Sequence, residues 1–203
     1  MRKIESIILS AGESSRMGKD KALLHIRKKR TVTIILEKLL TFSEKVYIVL
    51  GDNFKEVKKA VLKENLPFEK IEFIFNENHH LGMFSSIRKG FSVTSGEYPV
   101  LLQMVDQPFI PREIYREIIA SLDDEHLIFQ PSINLNGKLQ AGHPILFSPK
   151  FKEIILNFSD NSTLRKVIRE YQNKRKFVLV DDKVILQDFN TEQDFKKYLK
   201  DSI

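Results

Sequence analysis

Ile4-Glu5-Ser6-Ile7-Ile8-Leu9-Ser10-Ala11-Gly12-Glu13-Ser14-Ser15-Arg16-Met17-Gly18-Lys19-Asp20-Lys21-Ala22-Leu23-Leu24 is a short apolar run that opens into a polar loop of Gly and Ser carrying cations. The run reads as a buried strand, and a loop at the carboxyl end of a central strand sits where open α/β sheets bind ligands. Gly12 and Gly18 let the backbone approach an anion closely, successive N–H groups can form a nest, and Arg16 and Lys21 supply charge. Phosphate is the expected guest. Two better-known phosphate loops fail on spacing. A Walker A loop needs four residues between its glycines and then Lys-Ser/Thr, whereas five separate Gly12 from Gly18 and Asp20 follows Lys19. A dinucleotide fingerprint needs glycines where Ser14 and Met17 stand.

Further apolar runs rich in branched residues recur at Val46 to Leu50, Ile71 to Phe75 and Val100 to Val105. Segments of helical period lie between and after them: Val32 to Leu40, Lys55 to Lys63, Phe84 to Val93, Arg112 to Ser121, Thr163 to Tyr171 and Thr191 to Leu199. Strands alternating with helices predict a parallel sheet, and the wholly apolar Ile7-Ile8-Leu9 and Val100-Leu101-Leu102 predict central strands buried on both faces. Later runs are Leu127 to Gln130, Pro144 to Phe147, Phe177 to Val180 and Val184 to Leu186. Asn136-Gly137 marks a hairpin turn, so an antiparallel element is expected there. With 203 residues and no repeat, linker or composition shift, residues 1–203 are expected to form one domain. The expected fold is α/β and Rossmann-like: a mostly parallel sheet, helices on both faces and a small antiparallel element.

Hydrophobic residues at 42% and charged residues at 30% exclude a disordered or low-complexity chain. Zero Cys excludes disulfide frameworks, thiolate-bound zinc, iron–sulfur clusters and thiol catalysis, and a cytoplasmic protein is expected. Glu5 and Ser6 interrupt the basic start too early for a signal peptide, and no run approaches the roughly 20 apolar residues of a membrane span. The net charge of +6 admits nucleic acid, a membrane surface or a phosphorylated small molecule as partner. The basic Arg27-Lys28-Lys29-Arg30 lacks the aromatic ladder that stacking on single strands requires, so it is expected to be a solvated turn. No nucleic-acid or membrane partner is expected.

Four further places carry chemistry. In Asn76 to Gly90, Gly82 permits close approach while Ser85 and Ser86 can donate to an anion or a nucleobase, or merely cap the following helix. Adjacent His79 and His80 point apart, which argues against a metal between them. Val105-Asp106-Gln107-Pro108 ends the most apolar strand and leaves a carboxylate at the ligand edge, either as a turn residue or as a ligand of a Mg²⁺ ion that carries phosphate oxygens. His143, in Ala141-Gly142-His143-Pro144, is a packed loop residue or an acceptor contact. Asp188, in Gln187-Asp188-Phe189-Asn190-Thr191, is a second possible metal ligand, whereas Thr191 and Asp194 form a near capping box.

The first loop resembles L-x-A-G-x-S-x-R-M-G-x-x-K, the signature of the nucleotidyltransferases related to the molybdenum cofactor guanylyl- and cytidylyltransferases. Leu9, Ala11, Gly12, Ser14, Arg16, Met17, Gly18 and Lys21 match its fixed positions. Gly82-Met83-Phe84-Ser85-Ser86 is similar to the family's G-M-x-x-S, Asp106-Gln107-Pro108 to its D-Q-P, and Gly142-His143-Pro144-Ile145-Leu146-Phe147 to a G-H-P-x-L-F segment of the cytidylyltransferase branch. Residues 188 to 195 resemble D-x-D-T-P-E-D-L, departing from it at Asn190 and Gln193. The resemblance implies a fold of the nucleotide-diphospho-sugar transferase type. The implied reaction is Mg²⁺-dependent transfer of CMP from CTP to the phosphate of molybdopterin with release of pyrophosphate. It implies Arg16, Lys21 and Asp106 as catalytic residues and Asp106 with Asp188 as metal ligands. Leu9, Ala11, Gly12, Arg16, Gly18, Lys21, Gly82, Ser85 and Ser86 would bind nucleotide, and His143 the acceptor. The Ala11-Gly12 form accompanies CTP where Gly-Gly accompanies GTP. A molybdenum hydroxylase apoenzyme is the implied downstream partner. The alternatives are another acceptor, such as a sugar or polyol phosphate, and a cofactor-binding maturation chaperone without turnover.

Overall fold

The computed structural model describes residues 2–12, 20–189 and 191–201, of which 197–201 are described as backbone only. The first strand, β1 (Ile4–Ser10), is buried at every position. It lies between β4 (Ser43–Leu50) and β6 (Val100–Met104), parallel to both, with Ile7 opposite Tyr47 on one side and Leu102 on the other. Beyond β4 lies β5 (Ile71–Phe75), also parallel. On the far side of β6 follow β9 (Ile145–Phe147), then β7 (Ile128–Leu135) and β10 (Arg175–Leu179), giving the order β10-β7-β9-β6-β1-β4-β5. Strand β9 runs antiparallel to both of its neighbours, and β10 pairs parallel with β7. The expected antiparallel element is therefore β9 together with the hairpin of β7 and β8 (Lys138–Ala141). Asn136 and Gly137 both take positive φ, 53° and 80°, at its turn, a conformation that Asn tolerates and Gly adopts freely. A second small sheet pairs β2 (His25–Ile26) with β3 (Lys29–Arg30), so the basic run at 27–30 is a tight hairpin whose Arg27 takes φ 55°.

Alternation along the central strands sorts the core into two layers. Ile4, Ile8, Val46, Ile48 and Leu101 face α1 (Thr31–Leu39), α2 (Phe54–Val61) and α4 (Arg112–Ala120). Ile7, Leu9, Val49, Val100 and Leu102 face α3 (Met83–Val93), α5 (Phe151–Asn157) and α6 (Leu164–Glu170). That two-sided burial is why Ile7 to Leu9, Val46 to Leu50 and Val100 to Leu102 are continuously apolar. The last helix, α7 (Glu192–Asp201), contributes Phe195 to a small cluster with Ile26 and Phe189.

Two expectations change. Val184 to Leu186 is not extended: Lys183–Leu186 forms a 3-10 turn, started by Asp182, whose carboxylate accepts from the Val184 N–H. The run is apolar because Val184 and Ile185 are buried in the core, which a turn can do as well as a strand. Helix α5 is not among the helices that the sequence predicts.

Candidate active site

A cleft of about 1170 Å³ opens at the carboxyl ends of β1 and β6, where the buried strands Ile4–Ser10 and Val100–Met104 deliver their following loops. Pockets for a single small ligand run from about 300 to 1,000 Å³, so there is room here for two reactants. Leu9, Ala11, Gly12 and Lys21 line it from the first loop. Arg16 and Gly18 lie outside the described residues, as does Asn190.

Lys21 reaches across the sheet to Asp106, with Nζ 3.0 Å from Oδ2 and both side chains less than one-fifth exposed. Asp20 starts the 3-10 turn Lys21–Leu23 by accepting from the Ala22 N–H, which fixes where Lys21 leaves the loop. Burial pushes the Asp106 carboxyl above the usual carboxylate range; Lys21 opposes this and the nearby Asp188 charge adds to it. The two acidic segments are tied through the backbone, since the Phe189 N–H donates to the Asp106 carbonyl at 3.3 Å. Lys38 secures the loop that follows, its ammonium donating to the carbonyls of Pro108 at 2.6 Å and Ile110 at 2.8 Å.

A buried carboxylate beside a second carboxylate is under electrostatic load, and a divalent cation would relieve it. Among the described residues no group of three or more His, Asp or Glu could enclose a metal. Two carboxylates suit Mg²⁺, which takes one or two protein carboxylates and fills its remaining positions with phosphate and water. The donor set thus fits that ion.

Gly82 and Ser86 line the cleft and Ser85 does not. The Ser85 hydroxyl donates toward the carbonyls of Asn78 and Gly82, and buried Asn76 donates from Nδ2 to both serine oxygens, at 3.0 and 2.9 Å. This knot sets the entry to α3, where Gly82 takes φ 103°. His143 lines the cleft as well. Burial lowers its pKa to about 4, so the ring is neutral near pH 7, and its Nδ1 is buried without a hydrogen-bond partner.

The sequence reading passed over the wall built by α6. Arg165 and Arg169, one helical turn apart, share a face and line the cleft with Arg175. Among the described residues neither Arg165 nor Arg169 forms an ion pair. Gln130 joins them: its Nε2 donates to the Gly142 carbonyl at 2.8 Å, which can only accept, so Oε1 is left as a buried acceptor without a partner. The signal was present as R-x-x-x-R on a helix with an apolar opposite face, a pattern shared with many solvated helices. The assembled cleft can bind a polyanion at one wall and an anionic second ligand at the other, around two carboxylates.

No helix among the described residues is long and apolar enough to cross a membrane. The fold is similar to that of a solved Mycobacterium tuberculosis protein, with 20% identity, TM-score 0.80 and 98% of each chain covered. It is also similar to a nucleotidyl transferase from Methanothermobacter, at 17% identity and TM-score 0.78 over 98% of this chain and 96% of the other. In sequence the chain is 23% identical to the molybdenum cofactor cytidylyltransferase of Escherichia coli, across 96% of this chain and 95% of that one. It is 21% identical to a molybdenum cofactor guanylyltransferase of Campylobacter jejuni, across 98% and 96%. Residues 6–175, from the buried first strand to the start of β10, match the family described as MobA-like NTP transferase domain, and the chain belongs to that family.

Proposed function

We propose that the whole chain acts as one nucleotidyltransferase domain that transfers CMP from CTP to the phosphate of molybdopterin and releases pyrophosphate. The observation that carries the reading is the Lys21–Asp106 pair at the carboxyl ends of the central strands, with Asp188 beside it. An oxygen of the acceptor phosphate attacks the α-phosphorus of CTP, the bond from that phosphorus to the bridging β-oxygen breaks, and pyrophosphate leaves with the bonding pair. Such a reaction needs positioning and charge neutralisation more than covalent help from the protein. Lys21 and Arg16 hold the phosphates and meet the charge that builds on them. The backbone at Leu9, Gly12 and Gly18 admits the phosphates, and Gly82 and Ser86 face the nucleoside, with Ser85 holding their segment in shape. Asp106 and Asp188 would hold Mg²⁺, which when bound supplies charge neutralisation at the phosphates. The neutral His143 and the arginine wall receive the acceptor and its anionic charge.

Ala11 favours CTP in this reading, because its methyl is buried at the cleft, where a glycine would leave room for a larger base. The product is expected to serve a molybdenum hydroxylase apoenzyme in the cytoplasm. The test is pyrophosphate release from each of four nucleoside triphosphates with Mg²⁺, offered molybdopterin, a sugar phosphate or a polyol phosphate. CTP with molybdopterin is expected to be fastest. Release only with another phosphate moves the acceptor, and tight binding with no release from any pair identifies a maturation chaperone and refutes the enzyme.

A further inference from the structure

His79 and Asp52 have no part in the phosphate loop, the carboxylates or the arginine wall. His79 begins the 3-10 turn His79–Leu81 and lines the cleft with Ala11, Gly12 and Gly82, its side chain 14% exposed. Its backbone is tied on both sides: the N–H donates to the Asn76 carbonyl and the carbonyl accepts from the Gly82 N–H. Its Nε2 lies 3.2 Å from Asp52 Oδ1. Gly51 supplies the seat. A Cβ at Gly51 would stand 2.8 Å from His79 Cγ, 3.0 Å from its Nδ1 and 3.2 Å from the Ala11 carbonyl oxygen. The imidazole is thus laid against bare backbone, held from behind by Asp52 and placed next to Ala11.

We infer that His79 is a second determinant of nucleotide choice, its pinned ring forming part of the wall against which the base is fitted. The inference rests on the cleft being a nucleotide site. An aromatic ring fixed by its backbone, its seat and its carboxylate partner yields little to a larger purine, so it acts with the Ala11 methyl. Asp52 is 88% exposed in its side chain, where solvent screens the pair, so it contributes orientation rather than stability and is a positioning residue.

The test is calorimetric titration of non-reacting Mg²⁺ complexes of CTP and GTP analogues into the wild type and the variants His79→Ala, His79→Phe, Asp52→Ala and Asp52→Asn. Removing a pocket wall group changes discrimination by about tenfold or more. His79→Ala is expected to shift the CTP/GTP affinity ratio toward GTP by that amount, and His79→Phe, which rebuilds the wall, to hold it near the wild-type value. Asp52→Ala should shift the ratio partway, and Asp52→Asn, which keeps an oxygen at the Nε2 contact, should not. An unchanged ratio in a folded His79→Ala protein overturns the inference alone. If that variant does not fold, equal ratios in Asp52→Ala and Asp52→Asn overturn it. Wild type that binds neither analogue overturns both the inference and the nucleotidyltransferase reading. A wild-type preference for GTP removes the cytidylyl assignment and leaves the ratio shift to judge His79.

Discussion

Asp106→Asn should make the metal-free protein more stable while removing its response to Mg²⁺ and nucleotide. Burial outweighs the Lys21 charge and leaves the Asp106 carboxyl with a raised pKa, so ionising it costs the folded state more than the unfolded chain. The sign follows from proton counts. Between the unfolded value of 3.8 and the higher folded value, the folded protein holds the extra proton, so stability falls as pH rises through that window and stays lower above it. Each unit of elevation is worth about 1.4 kcal/mol. For a domain of this size a change of 1 kcal/mol moves Tm by about 2–4 °C. The amide keeps an oxygen for the Lys21 ammonium, which sits 3.0 Å from Oδ2. Thermal melts at pH 7 in chelator should therefore place the variant above the wild type. With Mg²⁺ and CTP at about 100 times Kd, the wild type should gain about 2.7 kcal/mol and overtake it, while the variant gains little. A variant that melts lower in chelator refutes the electrostatic argument, and one that keeps the full Mg-nucleotide shift refutes Asp106 as the metal ligand.

Lys21→Ala should reduce turnover about a hundredfold or more, as single-turnover kinetics would report; near-normal turnover removes Lys21 from the chemistry. Asp188→Asn should raise the Mg²⁺ concentration needed for half-maximal pyrophosphate release, and an unchanged titration curve confines the metal shell to Asp106, phosphates and water. Ala11→Gly should move the CTP/GTP ratio of kcat/KM partway toward GTP, by the roughly 1–3 kcal/mol that one pocket methyl supplies. His143, held down to about 4 by burial, makes the fold lose stability as pH falls from 6.5 toward 4, because the unfolded chain takes the proton first. The loss is at most about 3 kcal/mol, and denaturant titrations of His143→Gln across that range should show a flatter pH dependence.

The sequence by itself determined the central strands and the loops that leave them. Ile7 to Leu9 and Val100 to Leu102 are buried on both faces, and two-sided burial favours a continuous apolar run. Gly12, Lys21 and Asp106 were legible for a related reason: each lies in or just beyond a loop that leaves such a strand, so strand position alone carries it to the ligand edge. Only the tertiary structure decided the rest. The reversal of β9, the 3-10 turn at Lys183–Leu186 and the short α5 depend on which core surface remained to be covered, a quantity set by elements far along the chain. Ser85, equivalent to Ser86 in the linear pattern, lost the cleft because Asn76 gathers both hydroxyls and only Ser86 faces the space. Arg165 and Arg169 read as an ordinary charged helical face until α6 was folded against the sheet. His79 read as half of an idle pair until Gly51, 28 positions earlier, gave its ring a seat. Local pattern records what a residue needs from its immediate chain, whereas a wall of a binding site is made by residues that meet only because the sheet brings their elements to one edge.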